Sequence, residues 1–235
     1  MLDWFGAAVH PSFGEGYGVR NARRGDRMTL NVQAWTPSGE VIDHGGNSDF
    51  GTVPQSAKLY QGDTLIQQSS VSGALQNIAV PAGKLPYRLV HDASRPSDPW
   101  RLSTRTHTEW RFQSDTTPTN TFVAQPLPLL ELNYHLGTDL RGNIKAGSTP
   151  RISIEAGPQA GGGGDIGAVT SVTLQVSYDD GATWTSTSMT KGSDGRWDGM
   201  LKLPKSTGFV STRTTATTDA GWSINQELIR AYGLS

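Results

Sequence analysis

The sequence contains no cysteine. This absence excludes disulfide bonds, zinc sites built on thiolates and a cysteine nucleophile, but it fits exported and cytosolic proteins alike. The sequence also lacks an apolar run near the roughly 20 residues of a membrane-spanning helix. Its first residues show no basic stretch followed by an apolar one. We therefore expect no membrane partner. If the chain belongs to an exported protein, we expect the signal peptide to lie upstream of these residues.

An excess of positive charge is missing as well. Lysine and arginine number 20 against 21 aspartate and glutamate residues, for a formal net charge of -1. Binding to a phosphate backbone requires a basic footprint, so we expect no nucleic-acid partner. The glycine run at 161–164 has no neighbouring phosphate-loop lysine and opens no predicted helix, which makes it a loop rather than a phosphate site.

The residues that are abundant favour β-structure. The chain has 28 glycines, 13 prolines and 7 tryptophans, and it is rich in threonine and serine. Such residues suit strands and tight turns. Residues 28–35 alternate apolar and polar side chains, as in a half-buried strand. Residues 57–67 predict a hairpin in which Gly62 supplies the positive φ of the turn.

The strand pattern predicts an all-β protein with two antiparallel β-sandwich domains. The polar, proline-containing segment 114–120 is typical of a domain boundary. We expect a jelly-roll-like sandwich over 1–117 and an immunoglobulin-like sandwich over 118–235, in a monomeric protein. The first set of predicted strands covers 28–35, 57–60, 64–67, 87–91 and 100–112. The second set covers 129–135, 151–155, 169–178, 183–190, 196–203, 209–217 and 223–232.

One short motif stands out in the second half. Ser177, Asp179, Gly181, Thr183 and Trp184 fit the Asp-box pattern, a hairpin element that repeats in sialidase-like propellers and occurs once in this sequence. The aspartate of the motif can accept hydrogen bonds from backbone amides of the turn, and its glycine can adopt a backbone conformation that is unfavourable for other residues. Its tryptophan can pack back onto the hairpin. We interpret these five residues as a structural turn, with glycan binding as the alternative.

A family resemblance extends over most of residues 55–235. Four segments resemble the C-terminal tail of large secreted subtilisin-like serine peptidases of actinobacteria: 172–184, 195–197, 209–221 and 229–234. Five more are similar to the accessory region before that tail: 59–63, 87–89, 102–106, 110–112 and 127–129. The resemblance implies an extracellular parent that hydrolyses peptide bonds with a separate catalytic domain. This chain would be a non-catalytic accessory region that aids stability, maturation or substrate engagement, with the parent's protease domain or a protein substrate as partner.

Two tripeptides echo the catalytic motifs of that family. Residues 187–189 read Thr-Ser-Met, as in the serine motif, and residues 43–45 read Asp-His-Gly, close to the histidine motif. Ser188, however, lies in an alternating, strand-like stretch rather than at the start of a helix, and no Asp-Thr-Gly segment supplies a third member. We therefore expect no enzymatic activity from this chain.

The metal-binding residue types are dispersed. His10, His91, His107 and His135 are too far apart in sequence to place two ligands on one face of an element. No cofactor is expected. Calcium is left open, because residues 46–49 and 179–180 supply loop oxygen donors, although without the spacing of an EF-hand.

The alternative function is a carbohydrate- or cell-wall-binding β-sandwich module attached to another exported hydrolase. It would require an exposed row of aromatic side chains beside polar neighbours. The candidates for that row are Trp100, Trp110, Trp184, Trp197 and Trp222. Packing within the core or between hairpin strands is the competing interpretation, and it predicts that Trp184 and Trp197 form a cross-strand pair.

Overall fold

The computed structural model describes residues 5–8, 21–37, 53–70, 73–120, 124–159 and 166–235, whose regular structure is entirely β-strand. None of these residues forms an apolar helix long enough to cross a membrane. The first nine strands are β1 (Phe5–Ala8), β2 (Ala22–Arg24), β3 (Arg27–Asn31), β4 (Gln33–Pro37), β5 (Gln55–Gln61), β6 (Thr64–Ser69), β7 (Ala74–Ala79), β8 (Leu85–Ser94) and β9 (Arg105–Ser114). The others are β10 (Gln125–Pro126), β11 (Leu130–His135), β12 (Asn143–Ile144), β13 (Arg151–Pro158), β14 (Val169–Ser177), β15 (Thr185–Thr187), β16 (Thr190–Lys191), β17 (Trp197–Met200), β18 (Gly208–Thr218) and β19 (Ser223–Leu234).

The largest sheet contains strands from both halves of the chain. It has nine strands in the order β15-β14-β18-β19-β9-β8-β5-β6, with β12 paired to β19 in parallel. The link between the halves is the antiparallel pair β9–β19, which runs from Arg105 opposite Ile229 to Arg111 opposite Ser223. One sheet thus crosses the expected domain boundary at 117/118, and the division of the chain into two domains stays a prediction.

The two four-stranded sheets and the large sheet share a hydrophobic core, whereas Ala34 and Trp35 of β4 pack in a separate small cluster with Ala93. Two of the smaller sheets have four strands each, β10-β2-β3-β7 and β11-β13-β17-β16, and a third pairs β1 with β4. Met28 on β3 and Ile152 on β13 belong to the same buried cluster as Leu59, Trp110 and Leu174 of the large sheet. Burying apolar faces of antiparallel sheets against one another makes a β-sandwich, so the predicted all-β fold class is confirmed.

Local sequence explains much of this architecture. Burial alternates along β9, where even-numbered residues such as Trp110 and Phe112 point into the core. The buried indole N–H of Trp110 donates a hydrogen bond to the carbonyl oxygen of Leu130 at 2.9 Å, which joins the large sheet to β11. The predicted hairpin of β5 and β6 is confirmed, and Gly62 in its turn has φ 57°.

Three predicted strands are wrong in their extent. The strand expected over 28–35 is interrupted at Val32 and divided between β3 and β4, which belong to different sheets. The strand expected over 183–190 is divided between β15 in the large sheet and β16 in a four-stranded sheet. The connecting residues pass so close to Gly199 that a Cβ atom there would lie 3.0 Å from the carbonyl oxygen of Ser188. The strand expected from residue 100 begins at Arg105, because Arg95 and Trp35 bind the carbonyl oxygen of Ser103 and hold the preceding residues in a loop.

Candidate functional site

Hydrogen bonds of the 177–184 turn converge on two side chains. The carboxylate of Asp179 accepts hydrogen bonds from the backbone N–H of Thr183 at 2.9 Å, from the Thr183 hydroxyl at 2.5 Å and from the Ser177 hydroxyl at 2.6 Å. The Ser177 oxygen in turn accepts the backbone N–H of Gly181 at 2.9 Å. These contacts hold the pKa of Asp179 at about 2, chiefly through the hydroxyl groups of Ser177 and Thr183.

Gly181 and Trp184 fit the turn onto the large sheet. Gly181 has φ 91°, and a Cβ atom on it would lie 2.9 Å from the Ile229 side chain and 3.3 Å from the Trp184 ring. The guanidinium of Arg213 lies 4.3 Å from the centre of the Trp184 ring. The structure therefore brings together all five residues of the predicted motif, while their role in the protein stays a prediction.

We expect Asp179→Ala to lower the melting temperature by several degrees, because three donors of the turn lose their acceptor. The contribution should be complete above the ordinary carboxyl pKa of 3.8 and should be lost as the pH falls toward 2. Thermal unfolding at pH 7 and at pH 2.5 would measure it. Asp63→Ala is the matched control, since Asp63 is an exposed turn residue of the β5–β6 hairpin. Equal melting temperatures for the two variants would contradict the proposed role of Asp179 in holding the 177–184 turn.

Directly beside this turn lies an open cleft of about 720 Å³. It is bounded by β15, the edge strand of the large sheet, and by β17 and the residues that follow it. The volume falls in the range of small-molecule sites, about 300 to 1,000 Å³. The lining residues are Arg151, Val176, Tyr178, Thr185, Ser186, Thr187, Ser188, Thr190, Asp198, Gly199, Met200 and Lys202.

Two large apolar side chains in the cleft are exposed to solvent. Tyr178 is 39% exposed and Met200 is 55% exposed, whereas most large apolar side chains of the described residues are buried. The Tyr178 hydroxyl donates to the carbonyl oxygen of Lys202 at 3.1 Å, which fixes the ring across the cleft. Partial burial raises the pKa of Tyr178, so this hydroxyl stays protonated at neutral pH.

Polar groups in the cleft are held in place before any ligand arrives. Arg151 donates to both carboxylate oxygens of Asp198, at 3.0 and 2.7 Å, and Ser153 also donates to Asp198. These hydrogen bonds hold the pKa of Asp198 below its usual range and raise that of Arg151. Along the opposite side, hydroxyl groups follow β15 and the crossing to β16: Thr185, Ser186, Thr187, Ser188 and Thr190.

Sequence reasoning did not find Arg151, Asp198 or Met200. Asp198 lies opposite Ser153 in the β13–β17 register, and Arg151 lies opposite Met200. These partners are more than forty residues apart in sequence, and no local spacing signals their pairing. Tyr178 lies within the Asp-box segment, but at a variable position between Ser177 and Asp179. Thr187 and Ser188 also line the cleft, and they belong to the Thr-Ser-Met tripeptide.

The histidines that the structure describes and Ser188 are not assembled into one site. His91 is buried and its Nε2 lies 3.4 Å from Gln55, while burial lowers its pKa to about 4. His107 is bonded to Asp92 at 2.7 Å, and His135 lies 3.7 Å from Glu155. Ser188 lines the cleft on the crossing between sheets rather than opening a helix. His10 and the 43–45 tripeptide lie outside the described residues.

Calcium stays an open prediction. The donors at 46–49 lie outside the described residues. Asp180 is held by Arg230, whose Nε and NH2 groups bond its carboxylate at 3.0 and 2.7 Å. Asp179 is occupied by its own turn. Within the part of the chain that the structure describes, no three metal-ligating side chains form a group.

The five tryptophans do not form one exposed row. Trp110 and Trp222 are buried, at 1% and 7% exposure, whereas Trp100 is 54% exposed. The predicted pairing of Trp184 with Trp197 is wrong. Trp197 lies opposite Lys191 and Ile154 in a four-stranded sheet, because the chain changes sheets between the two tryptophans.

Comparison of the sequence with protein-family models and with curated proteins gives no match. Solved structures with a similar fold include fibronectin(III)-like modules of Clostridium thermocellum CbhA, at 15% identity and a TM-score of 0.27 over 88% of this chain and 86% of that one. A Bacteroides ovatus mixed-linkage glucan utilization locus protein, SGBP-B in complex with a heptasaccharide, gives 14% identity and a TM-score of 0.27 over 98% and 45% of the chains. Domains 3–5 of Drosophila OTK give 9% identity and a TM-score of 0.22 over both full chains. Similarity at this level does not bear on function.

Proposed function

We propose that this chain is a non-catalytic β-sandwich module that binds a neutral carbohydrate chain in the cleft beside the 177–184 turn. The observation that carries the proposal is the pairing of exposed apolar side chains, Tyr178 and Met200, with a polar lining already fixed in place. A sugar ring presents apolar C–H faces and a rim of hydroxyl groups, and it needs both kinds of contact.

Each part of the cleft has a role in this proposal. Tyr178 and Met200 pack against the C–H face of a sugar ring. The Arg151–Asp198 pair offers donors and acceptors to sugar hydroxyls at little cost in reorganisation, because the two side chains already hold each other. Their charges cancel, so this fixed pair favours an uncharged ligand; the exposed Lys202 is the other charged residue of the lining.

The family resemblance remains a separate proposal. As the accessory region of a secreted subtilisin-like peptidase, the chain would hold the enzyme on a carbohydrate-rich surface and raise its local concentration there. The same geometry serves a module attached to another exported hydrolase. Both proposals place the chain outside the cell.

The proposal is tested by retention on insoluble polysaccharides, using cellulose, chitin, xylan and peptidoglycan as probes. We expect the wild-type chain to bind at least one of them, and we expect Tyr178→Ala and Met200→Ser each to weaken that binding about tenfold. Leu65→Ser is the control, because Leu65 is also exposed, at 42%, on β6 at the opposite edge of the large sheet. Retention on none of the probes, or retention unchanged in both cleft variants, would contradict the proposal.

A further inference from the structure

A second surface lies on the loop between β8 and β9, where Trp100 stands out from the protein. Trp100 is 54% exposed, and the guanidinium of Arg95 lies 4.8 Å from the centre of its ring. The same guanidinium lies 4.8 Å from the ring of Trp35, which is buried. The exposed indole is thus held against the protein through an arginine that also contacts a core tryptophan.

This stack is anchored to the backbone at three points. Arg95 donates from Nε to the carbonyl oxygen of Ser103 at 3.1 Å and from NH2 to that of Leu102 at 2.9 Å. The indole N–H of Trp35 donates to the same Ser103 oxygen at 2.9 Å. A side chain held in this way loses little conformational entropy when a ligand packs on it.

Two arginines of the β8–β9 loop carry positive charge: Arg95, which is stacked on the ring of Trp100, and Arg101, the next residue along the chain after Trp100. Among the described residues neither Arg95 nor Arg101 forms an ion pair with a carboxylate, Asp98 of the same loop included. Arg95 has only neutral oxygen acceptors, and Arg101 donates to the Asn143 amide oxygen at 2.6 Å. Burial lowers the pKa of Arg95 to about 10, which leaves it charged at neutral pH. One cation stacked on an exposed aromatic ring, with a second on the adjacent residue of the same loop, favours an anionic ligand with an apolar face.

We propose that Trp100, Arg95 and Arg101 form a second binding surface, which takes a carboxylate-bearing polysaccharide. The ring of Trp100 packs on the face of a uronate sugar, and the arginines attract its carboxylates. The surface differs from the cleft in charge, because Arg151 of the cleft is neutralised by Asp198, whereas Arg95 and Arg101 form no ion pair with any acidic side chain that the structure describes. The proposal is independent of the function proposed for the cleft.

The test is titration of the full chain with polygalacturonate and alginate fragments, and with a neutral xylan fragment for comparison. We expect the acidic fragments to bind, with an affinity that falls as salt rises. Trp100→Ala should weaken their binding about tenfold or more, as removal of a stacking aromatic does. Trp100→Tyr should retain part of the binding, which separates loss of stacking from loss of the fold.

Two further variants separate this surface from the cleft. Arg101→Gln should reduce the salt dependence of acidic-fragment binding, and Tyr178→Ala should leave that binding unchanged. Absence of binding to both acidic fragments would overturn the proposal, as would equal affinity of the wild-type and Trp100→Ala chains. Loss of acidic binding in Tyr178→Ala but not in Trp100→Ala would also overturn it and would assign the ligand to the cleft. Neutral-polysaccharide retention reports separately on the function proposed for the cleft.

Discussion

Arg23→Met should destabilise the fold by about 3 to 5 kcal/mol, the cost typical of removing one side of a buried charged network. Arg23 lies on β2 and its side chain is completely buried, whereas its partner Asp26 is 43% exposed. Its guanidinium binds five acceptors: the carbonyl oxygens of Gly25 at 2.8 Å, Ser114 at 3.1 Å and Pro81 at 2.9 Å, the Asp26 carboxylate at 2.8 Å and the Thr116 hydroxyl at 3.3 Å.

Those acceptors belong to three distant parts of the chain, so the arginine holds together β2, the residues after β7 and the residues at the end of β9. Methionine fills similar volume but leaves the carbonyl groups of Ser114 and Pro81 without their donor. Lysine keeps the charge yet cannot reach acceptors spread around a planar fork, so Arg23→Lys should also destabilise.

Chemical denaturation monitored by tryptophan fluorescence measures this effect. The matched control is Arg24→Met, because Arg24 is the adjacent residue, is exposed and donates to the carbonyl oxygen of Thr119 at 3.0 Å. We expect the control to change the free energy of unfolding by less than about 0.5 kcal/mol. Equal effects of the two variants would mean that Arg23 does not organise the N-terminal half.

The second large effect concerns cooperativity. We expect the chain to unfold in one transition, and we expect the fragments 1–117 and 118–235 not to fold separately. Separation would break the β9–β19 pair and leave two long unpaired strand edges, each a template for aggregation. Trp110, which is 1% exposed at that junction and bonded to Leu130, adds a contact that neither fragment could keep.

Differential scanning calorimetry tests this expectation through the ratio of van't Hoff to calorimetric enthalpy, which is close to one for a single cooperative unit. Trp110→Ala should reduce the free energy of unfolding by about 3 to 5 kcal/mol. The single transition should move to lower temperature and should not split into two. Leu65→Ala, at the far edge of the same sheet, serves as the control. Two resolved transitions, or a folded 118–235 fragment, would instead support the two domains that the sequence predicts.

Features set by neighbouring residues were predictable from the sequence. Gly62 sits in the hairpin turn with positive φ, and the side chains of Ser177, Asp179 and Thr183 bond within a few residues of one another. Alternation of polar and apolar residues located most strands, because a strand with one buried face requires that pattern. Such signals depend on side-chain period and turn chemistry, which act over short distances.

Features set by distant pairing were not predictable. Arg23 lies in a polar stretch whose composition is typical of exposed residues. Its burial depends on the carbonyl oxygens of residues 81 and 114, which accept its hydrogen bonds. The cleft exists because β15 and β17 belong to different sheets. The polar segment 114–120 does not indicate that β9 pairs with β19. Strand order between remote segments is decided by packing, which one sequence does not reveal.

Carbohydrate binding in the cleft is tested most directly by following backbone amide signals of the isotopically labelled chain by NMR during titration. The probe is the soluble oligosaccharide of whichever neutral polysaccharide retains the chain best. We expect shifts to concentrate on residues that line the cleft: Tyr178, Thr187, Gly199, Met200 and Lys202. Shifts centred elsewhere, or none at saturating oligosaccharide, would contradict the assignment of the cleft as the carbohydrate site.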